Sequence, residues 1–361
     1  MQPQLHYKNN ANIIQSVDFI LRTSILTLEQ RKTAFKSLGS YLQSPDEALK
    51  HLIKTAHLTN GWFTAEETAK AVKGIAAMLN EQDLDLWLSH QTIDTQQKTI
   101  GLVLAGNIPL VGFHDILTVL ASGHKALIKS SSQDKHLIPH LINKLVEFEP
   151  RFIHQIEFTE RLGGFDAVIA TGSNNTSRYF EYYFGKVPHI IRKNRNSIAV
   201  LTGKETKEEL YLLGRDILDF FGLGCRNVSK LFVPEDYNFS TFFESIEDHK
   251  NVVNHHKYCN NYDYNKSIYL INREKHLDNG FLLVKQDERL TSPLAVLFYE
   301  EYTSISSLEE RIAPLSEQIQ CIVTSEAFAL ENQQVGFGKS QQPKLWDYAD
   351  GINTLEFLRS L

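Results

Sequence analysis

The sequence predicts an α/β protein, with two parallel-sheet domains behind a helical N-terminal segment. Two observations carry that prediction. From Thr99 onward, short all-apolar runs alternate with longer segments of helical spacing, as strands buried on both faces and joined by covering helices would read. The alternation starts afresh near Ser197, as a second sheet would.

Taken in order, residues 11 to 91 read as helical. Ile13, Val17, Ile20 and Leu21 recur at helical spacing, and Thr64 followed by Glu67 reads as a capping box opening the helix TAEETAKAVKGIAAML. IGLVLA is the first strand, and PLVGFHDILTVLASG the helix after it, with Pro109 near its first turn, where a missing N–H is tolerated. KALIK with HLIPHLINKLVEF and DAVIAT with NNTSRYFEYYF are the next two strand–helix pairs, and VPHII adds an apolar segment. In the second round SIAVL is a strand, KEELYLLGRDILDFF a helix, and SKLFVP a strand after the turn GLGC; SPLAVLFY and QCIVTS are later strands. A turn-rich segment, GFGKSQQPKLWDYADGINTLEFL, closes the chain. The expected divisions are 1–195, 196–335 and 336–361.

The chain of 361 residues is long enough for two domains, and 42% hydrophobic with 22% charged residues marks it as globular rather than disordered. A net charge of -6 leaves no surplus of cations to displace counterions, which excludes nucleic-acid binding as the main role. MQPQLHYKNN lacks the apolar stretch of a leader, and no apolar run approaches the roughly 20 residues of a membrane span. Cys225, Cys259 and Cys321 are widely spaced and odd in number, which forms neither a disulfide framework nor a cysteine zinc cluster. A cytoplasmic location is the expectation.

Open parallel sheets bind ligands at the carboxyl ends of their strands. Three loops leave such ends: Ala105-Gly106-Asn107, Lys129-Ser130-Ser131-Ser132, and Thr171-Gly172-Ser173. Small residues let a ligand approach the backbone, helix N-termini suit a phosphate, and Lys129 adds a positive charge. These features point to a nucleotide cofactor, although no GxGxxG occurs and ordinary short loops would read the same way. Cys225 lies in FFGLGCRNVSKLFV, where Gly222 and Gly224 permit a tight turn that opens the sulfur to a substrate and Arg226 favours the thiolate. Taken alone, it is equally well a small buried hydrophobe, and Cys259 and Cys321 read as structural. His255 and His256 are adjacent and share no face, so they make no joint metal site. His114 and Asp115 have no identifiable partner, His189 is a candidate for moving a proton, and QDERL reads as a solvated patch.

The ordered set AGNIPL, GHKALIKSSS, ATGS, GLGC and the closing GFGKSQQPKLWDYADGINTLEFL resembles the acyl-CoA reductase family, over about residues 60 to 361. That family includes the long-chain fatty-acid reductase of bacterial bioluminescence and belongs to the aldehyde dehydrogenase superfamily. The resemblance implies an aldehyde dehydrogenase-like fold of two Rossmann-like domains, with a short oligomerisation element and hence a homo-oligomer. It implies that Cys225 is the nucleophile, Asn107 the oxyanion-hole amide, Lys129 the ribose contact, and Gly172 with Ser173 the cofactor-phosphate loop. Ala105, Gly106, Ser131, Ser132 and Thr171 belong to the same cofactor-binding loops. The implied reaction is reduction of an acyl thioester, carried by CoA, a carrier or a protein, to an aldehyde through an S-acyl-cysteine.

Three departures refine this. Oxidising aldehyde dehydrogenases carry a water-activating Glu in an ELGGK motif, but the matching stretch here, IRKNRNS, has no carboxylate, so an acyl-enzyme would be protected from hydrolysis. Arg289 in RLTSPL falls where the superfamily places a Glu that contacts the nicotinamide ribose. Ser132 stands where NAD-specific members carry an acid, so NADPH is the expected cofactor over NADH. Two alternatives stay open: an oxidising aldehyde dehydrogenase, with His189 as substitute base, and a non-catalytic scaffold subunit of the same fold.

Overall fold

The computed structural model describes residues 26–89 and 96–361. The stretch holding Ile13, Val17, Ile20 and Leu21 lies outside them. Four helices form the described front end: α1 (Leu28–Gln43), α2 (Glu47–Thr55), α3 (Ala65–Met78) and α4 (Glu81–Leu88). Each starts where a polar side chain, from Thr27, Asp46, Thr64 or Asn80, accepts a free N–H of the first turn. Arg31 of α1 is fully buried and donates to the carbonyls of Leu26 and Leu120 and to Gln155 Oε1. That burial pulls its guanidinium down to about 10.

Strands β1 (Thr99–Val103), β2 (Lys125–Lys129), β3 (Ile156–Phe158), β4 (Ala167–Thr171) and β5 (His189–Arg192) form a parallel sheet in the order 3-2-1-4-5. Helices α5 (Phe113–Ala121), α6 (Leu137–Phe148) and α7 (Asn174–Phe184) connect them. Winding runs one way from β1 to β3 and the other way through β4 and β5, so the direction switches between β1 and β4.

The second sheet has seven strands in the order 12-11-6-7-10-9-8, parallel except for the β8–β9 pair. They are β6 (Asn196–Val200), β7 (Val228–Pro234), β8 (Leu277–Asp278), β9 (Leu283–Gln286), β10 (Val296–Tyr302), β11 (Ile319–Val323) and β12 (Gln334–Val335). Helices α8 (Lys207–Leu218), α9 (Phe239–Ile246), α10 (His256–Ile271) and α11 (Ile305–Ile312) accompany it, and α12 (Thr354–Arg359) ends the chain.

Several expectations change. The helix after β1 begins only at Phe113, because Leu110 adopts a left-handed φ of 61° and donates its N–H to Asp134 Oδ2; Pro109 lies in that turn. The strand in SPLAVLFY begins only at Val296, after Ala295 at φ 62°. Thr64 caps α3, but the carboxylate of Glu67 turns away to Phe220 and Lys70 instead of closing the capping box. The final apolar segment is a helix that docks on its own chain. Leu355 and Leu358 are buried there, and His124 Nε2 bonds the Leu358 carbonyl.

His114 and Asp115 do have partners. His114 Nε2 bonds the Leu345 carbonyl, and Asp115 Oδ2 pairs with Arg192 at 2.6 Å with both side chains buried. Arg192 also donates to Thr354 Oγ1, so one guanidinium ties α5, β5 and α12 together. Asp115→Ala would leave that cation buried with only a hydroxyl partner, at a cost of about 3–5 kcal/mol. Equilibrium denaturation should show a loss of this size, and a loss below about 1 kcal/mol would contradict the pairing.

Candidate active site

The carboxyl ends of β2, β1 and β4 bear the three loops singled out in the sequence. The AGN and TGS loops flank the switch between β1 and β4, where a crevice opens in sheets of this kind. Ser173 caps α7 by accepting the Thr176 N–H. The glycines are explained by close packing of protein on protein. A Cβ on Gly106 would stand 2.7 Å from Ser131 Cβ, and one on Gly172 would stand 2.8 Å from Phe180. Gly106 therefore lets the AGN and KSSS loops touch. The Lys129 ammonium has no hydrogen bond or ion pair among the described residues, and the buried Ser130 hydroxyl has no partner. A free ammonium and an orphaned hydroxyl beside a switch-point crevice fit an anionic nucleotide. Ser132 is exposed, and the nearest acid in sequence, Asp134, turns inward to the Leu110 N–H.

Cys225 precedes β7, on a turn built from unusual backbone. Phe220, Phe221 and Gly222 take left-handed φ values of 53°, 57° and 77° in succession. A left-handed residue with a side chain costs about 1–2 kcal/mol, so the surroundings must hold this conformation. Buried Asn227 does much of that. Its amide donates to the carbonyls of Asp216, Ile217 and Asp219, and its oxygen accepts the Gly224 N–H at 2.8 Å. Ser197 donates to the Cys225 carbonyl at 3.0 Å. Asn107 reaches across from the first sheet and donates to the Leu223 carbonyl at 2.8 Å. A primary amide has two N–H donors, so the second is left for a ligand. A small cleft of about 50 Å³ lies beside this turn, walled by Gly222, Gly224, Asn227, Tyr258, Ser292 and Leu294.

Solvent reaches the Cys225 side chain, but the protein mass around it still disfavours charge and pushes the thiol up. Arg226, Arg192 and the residue's own N–H pull the other way, while Asp350 adds to the rise. Arg226 favours the thiolate, as the sequence suggested, but burial outweighs it. Its guanidinium is held by Gln333 Oε1 and the Asp347 carbonyl.

The closing segment packs against this turn. Asp216 of α8 accepts the N–H groups of Gly338 and Ser340, and burial raises its carboxyl to about 6. Asp350, at φ 60°, is buried against the IRKNRNS linker. Its carboxylate accepts the Lys193 N–H and lies 3.4 Å from Arg195 Nε. The linker itself has no acid, yet tertiary structure brings one to it. No signal in the local sequence marks Asp350, Asn227 or Ser197.

Other candidates are not brought to the sulfur. His189 begins β5, at the amino end of the sheet, bonded to the Val187 carbonyl, which removes it as a proton carrier for Cys225. Arg289 folds back on Asp287 with two bonds of 2.8 and 2.6 Å. Asp287 is held well below the usual carboxylate range, chiefly by Arg289, so QDERL is a solvated patch, exposed at Gln286, Glu288 and Arg289, that an ion pair within it braces. Cys321 is fully buried, within 3.1 Å of the Ser197 hydroxyl. Cys259 faces Asp263 at 3.6 Å. Among the described residues no cluster of three His, Cys, Asp or Glu side chains is arranged to hold a metal ion, and no helix is long and apolar enough to cross a membrane.

Solved structures share this arrangement of sheets. Aldehyde dehydrogenase 21 from Physcomitrella patens, in complex with the reaction product succinate, superposes with a TM-score of 0.66 over 99% of this chain and 90% of its own, at 10% identity. The chain has the aldehyde dehydrogenase fold. An NAD-dependent aldehyde dehydrogenase from Sinorhizobium meliloti with this fold matches at TM-score 0.64 and 9% identity, over 86% of this chain and 74% of its own. An E. coli NADP dependent enzyme matches at TM-score 0.64 and 12% identity, over 88% and 78%. No family profile and no curated protein matches the sequence.

The raised Cys225 thiol has a direct consequence. Its thiolate fraction grows only as pH climbs above the ordinary cysteine range, so alkylation by iodoacetamide should keep rising there before it levels. Asp350→Asn removes a negative charge that opposes the thiolate, so the midpoint of the alkylation profile should move to lower pH. A profile that levels below the usual thiol range would contradict this environment.

Proposed function

We propose that this chain is an oxidoreductase that reduces an acyl thioester to an aldehyde, using Cys225 as nucleophile and NADPH as cofactor. One observation carries the reading: Cys225, an exposed residue, stands on a turn whose Leu223 carbonyl is gripped by the Asn107 amide. This brings a nucleophile from one sheet next to a hydrogen-bond donor from the cofactor-side loops of the other.

Cys225 sulfur, as thiolate, forms a bond to the acyl carbon, and the bond from that carbon to the donor thiol breaks, releasing the donor as a thiolate. The negative charge that builds on the acyl oxygen is met by the free N–H of Asn107 and the backbone N–H of Cys225. Lys129, Ser131, Ser132 and the Thr171-Gly172-Ser173 loop, with Ala105 and Gly106, would hold the dinucleotide at the switch point. Bound there, the nicotinamide would supply the hydride that releases the acyl group as aldehyde. Cys225 sulfur then keeps the bonding pair and returns as thiolate. Proteins of this fold use either NAD or NADP, as the Sinorhizobium meliloti and E. coli examples are described. The exposed Ser132 and the inward turn of Asp134 leave room for a 2′-phosphate, which supports NADPH.

Incubation with radiolabelled acyl-CoA of increasing chain length, with NADPH consumption followed and aldehyde trapped, tests the reading. Cys225→Ala should take up no label, and Asn107→Ala should acylate about a hundredfold more slowly or worse. Label retained in Cys225→Ala would show that another residue is acylated.

Asp350 favours a second reading. A buried carboxylate against the IRKNRNS linker, electrostatically coupled to Cys225, is equipped to activate water and release an acid. Under that reading, aldehyde with NADP yields free acid without CoA, and Asp350→Asn stops acid formation while leaving acylation intact. Under the reductase reading, CoA is required for aldehyde consumption.

A further inference from the structure

The turn before Cys225 is held from a third side, by the helical front end. Glu67, on α3 and buried, accepts the Phe220 N–H through Oε2 at 2.7 Å. Lys70, one turn later, donates to Glu67 Oε1 at 2.8 Å and to Asp219 Oδ1 at 2.7 Å. Arg215 adds a contact to Asp219 at 3.5 Å. Next to them Trp62 packs on Phe221, with ring centres 5.4 Å apart, and His255 packs on the same ring at 4.3 Å while bonding the Gly61 carbonyl. The held residues are the left-handed ones. The carbonyl of Phe220 accepts the Leu223 N–H at 3.1 Å, and the Leu223 carbonyl accepts the Asn107 amide. An unbroken path of hydrogen bonds thus runs from Glu67 through Phe220 and Leu223 to Asn107, ending two residues from the sulfur.

We infer that Glu67 and Lys70 are positioning residues for Cys225, which keep the left-handed turn formed and the sulfur presented beside Asn107. The inference rests on Cys225 being the nucleophile. It makes the front end part of the reactive centre. Without the Glu67 carboxylate the Phe220 N–H loses its partner, and two aromatic residues sit in an unfavourable conformation that only the packing of Trp62 and His255 on Phe221 supports from this side. The segment then relaxes toward right-handed backbone, Leu223 turns off Asn107, and the cysteine no longer meets an incoming electrophile at a fixed angle.

The test uses the full chain and the rate of Cys225 alkylation by iodoacetamide at pH 8, read on the peptide carrying that residue. Folding is checked by circular dichroism and melting temperature. Glu67→Ala and Lys70→Met should each alkylate roughly tenfold more slowly than wild type, because a relaxed turn withdraws the Cys225 N–H that favours the reactive thiolate. Glu67→Gln keeps an acceptor for the Phe220 N–H and should recover to within about threefold of wild type. Lys70 is partly exposed, so its variant remains informative if Glu67→Ala fails to fold. Folded Glu67→Ala or Lys70→Met with an alkylation rate within twofold of wild type, or faster, overturns the inference and leaves the pair with a purely structural role. The outcome is independent of the thioester assay. An unlabelled wild type in that assay would refute the proposed reaction, while the alkylation rates still report on the clamp.

Discussion

The backbone of Phe220, Phe221 and Gly222 is the constraint from which the arrangement of the centre follows. Two consecutive large rings must enter two different cores while the chain turns. Here Phe220 enters the core around the first sheet and Phe221 the core around the second. Left-handed dihedrals solve that geometry and leave the chain turned so that Cys225 faces outward. The conformation is unfavourable in isolation and persists because partners converge on it: Asn227 from the turn's own exit, Glu67 and Lys70 from the front end, and Asn107 from the first sheet.

Charge is handled the same way throughout. Asp115 and Arg192, Asp216 and the closing segment, and Lys230 with Glu300 and the carbonyls of Asp287 and Arg289 are buried groups whose partners come from distant parts of the chain. Each carries a desolvation cost that only a complete set of partners offsets. The closing segment owes its placement to such pairs as much as to Leu355 and Leu358. The result brings Asp350, an acid from residue 350, against a linker near residue 193, within electrostatic reach of Cys225.

The alternation of apolar runs with helical spacing identified the parallel strands that form the interior of both sheets. Strands buried on both faces must be apolar throughout, and nothing else in the chain looks like them. The short strands β3, β8 and β12 on the sheet edges escaped, and so did β9 inside the second sheet, because two to four residues have no periodicity to read. Helix α10 escaped as well, since its polar and aromatic residues mark no single buried stripe. Of the candidate site, Cys225 and the three loops were legible from glycines, small residues at strand ends and their order along the chain, while Asn107 was singled out by the resemblance alone. The switch point between β1 and β4 was not legible, because strand order is a property of pairing.

The sequence by itself determined the long apolar strands and the helices with a clear apolar stripe, where small residues leave the strand ends, and which cysteine sits on a glycine-flanked turn. Those are local matters of periodicity, backbone freedom and side-chain size. Only the tertiary structure decided that Glu67 abandons its capping box for Phe220, that Arg226 is occupied by Gln333 and Asp347, and that Asp350 stands at the linker. A hydrogen bond or a charge is satisfied by whatever lies within about 3 Å once the chain has packed, and no spacing along the sequence encodes that distance.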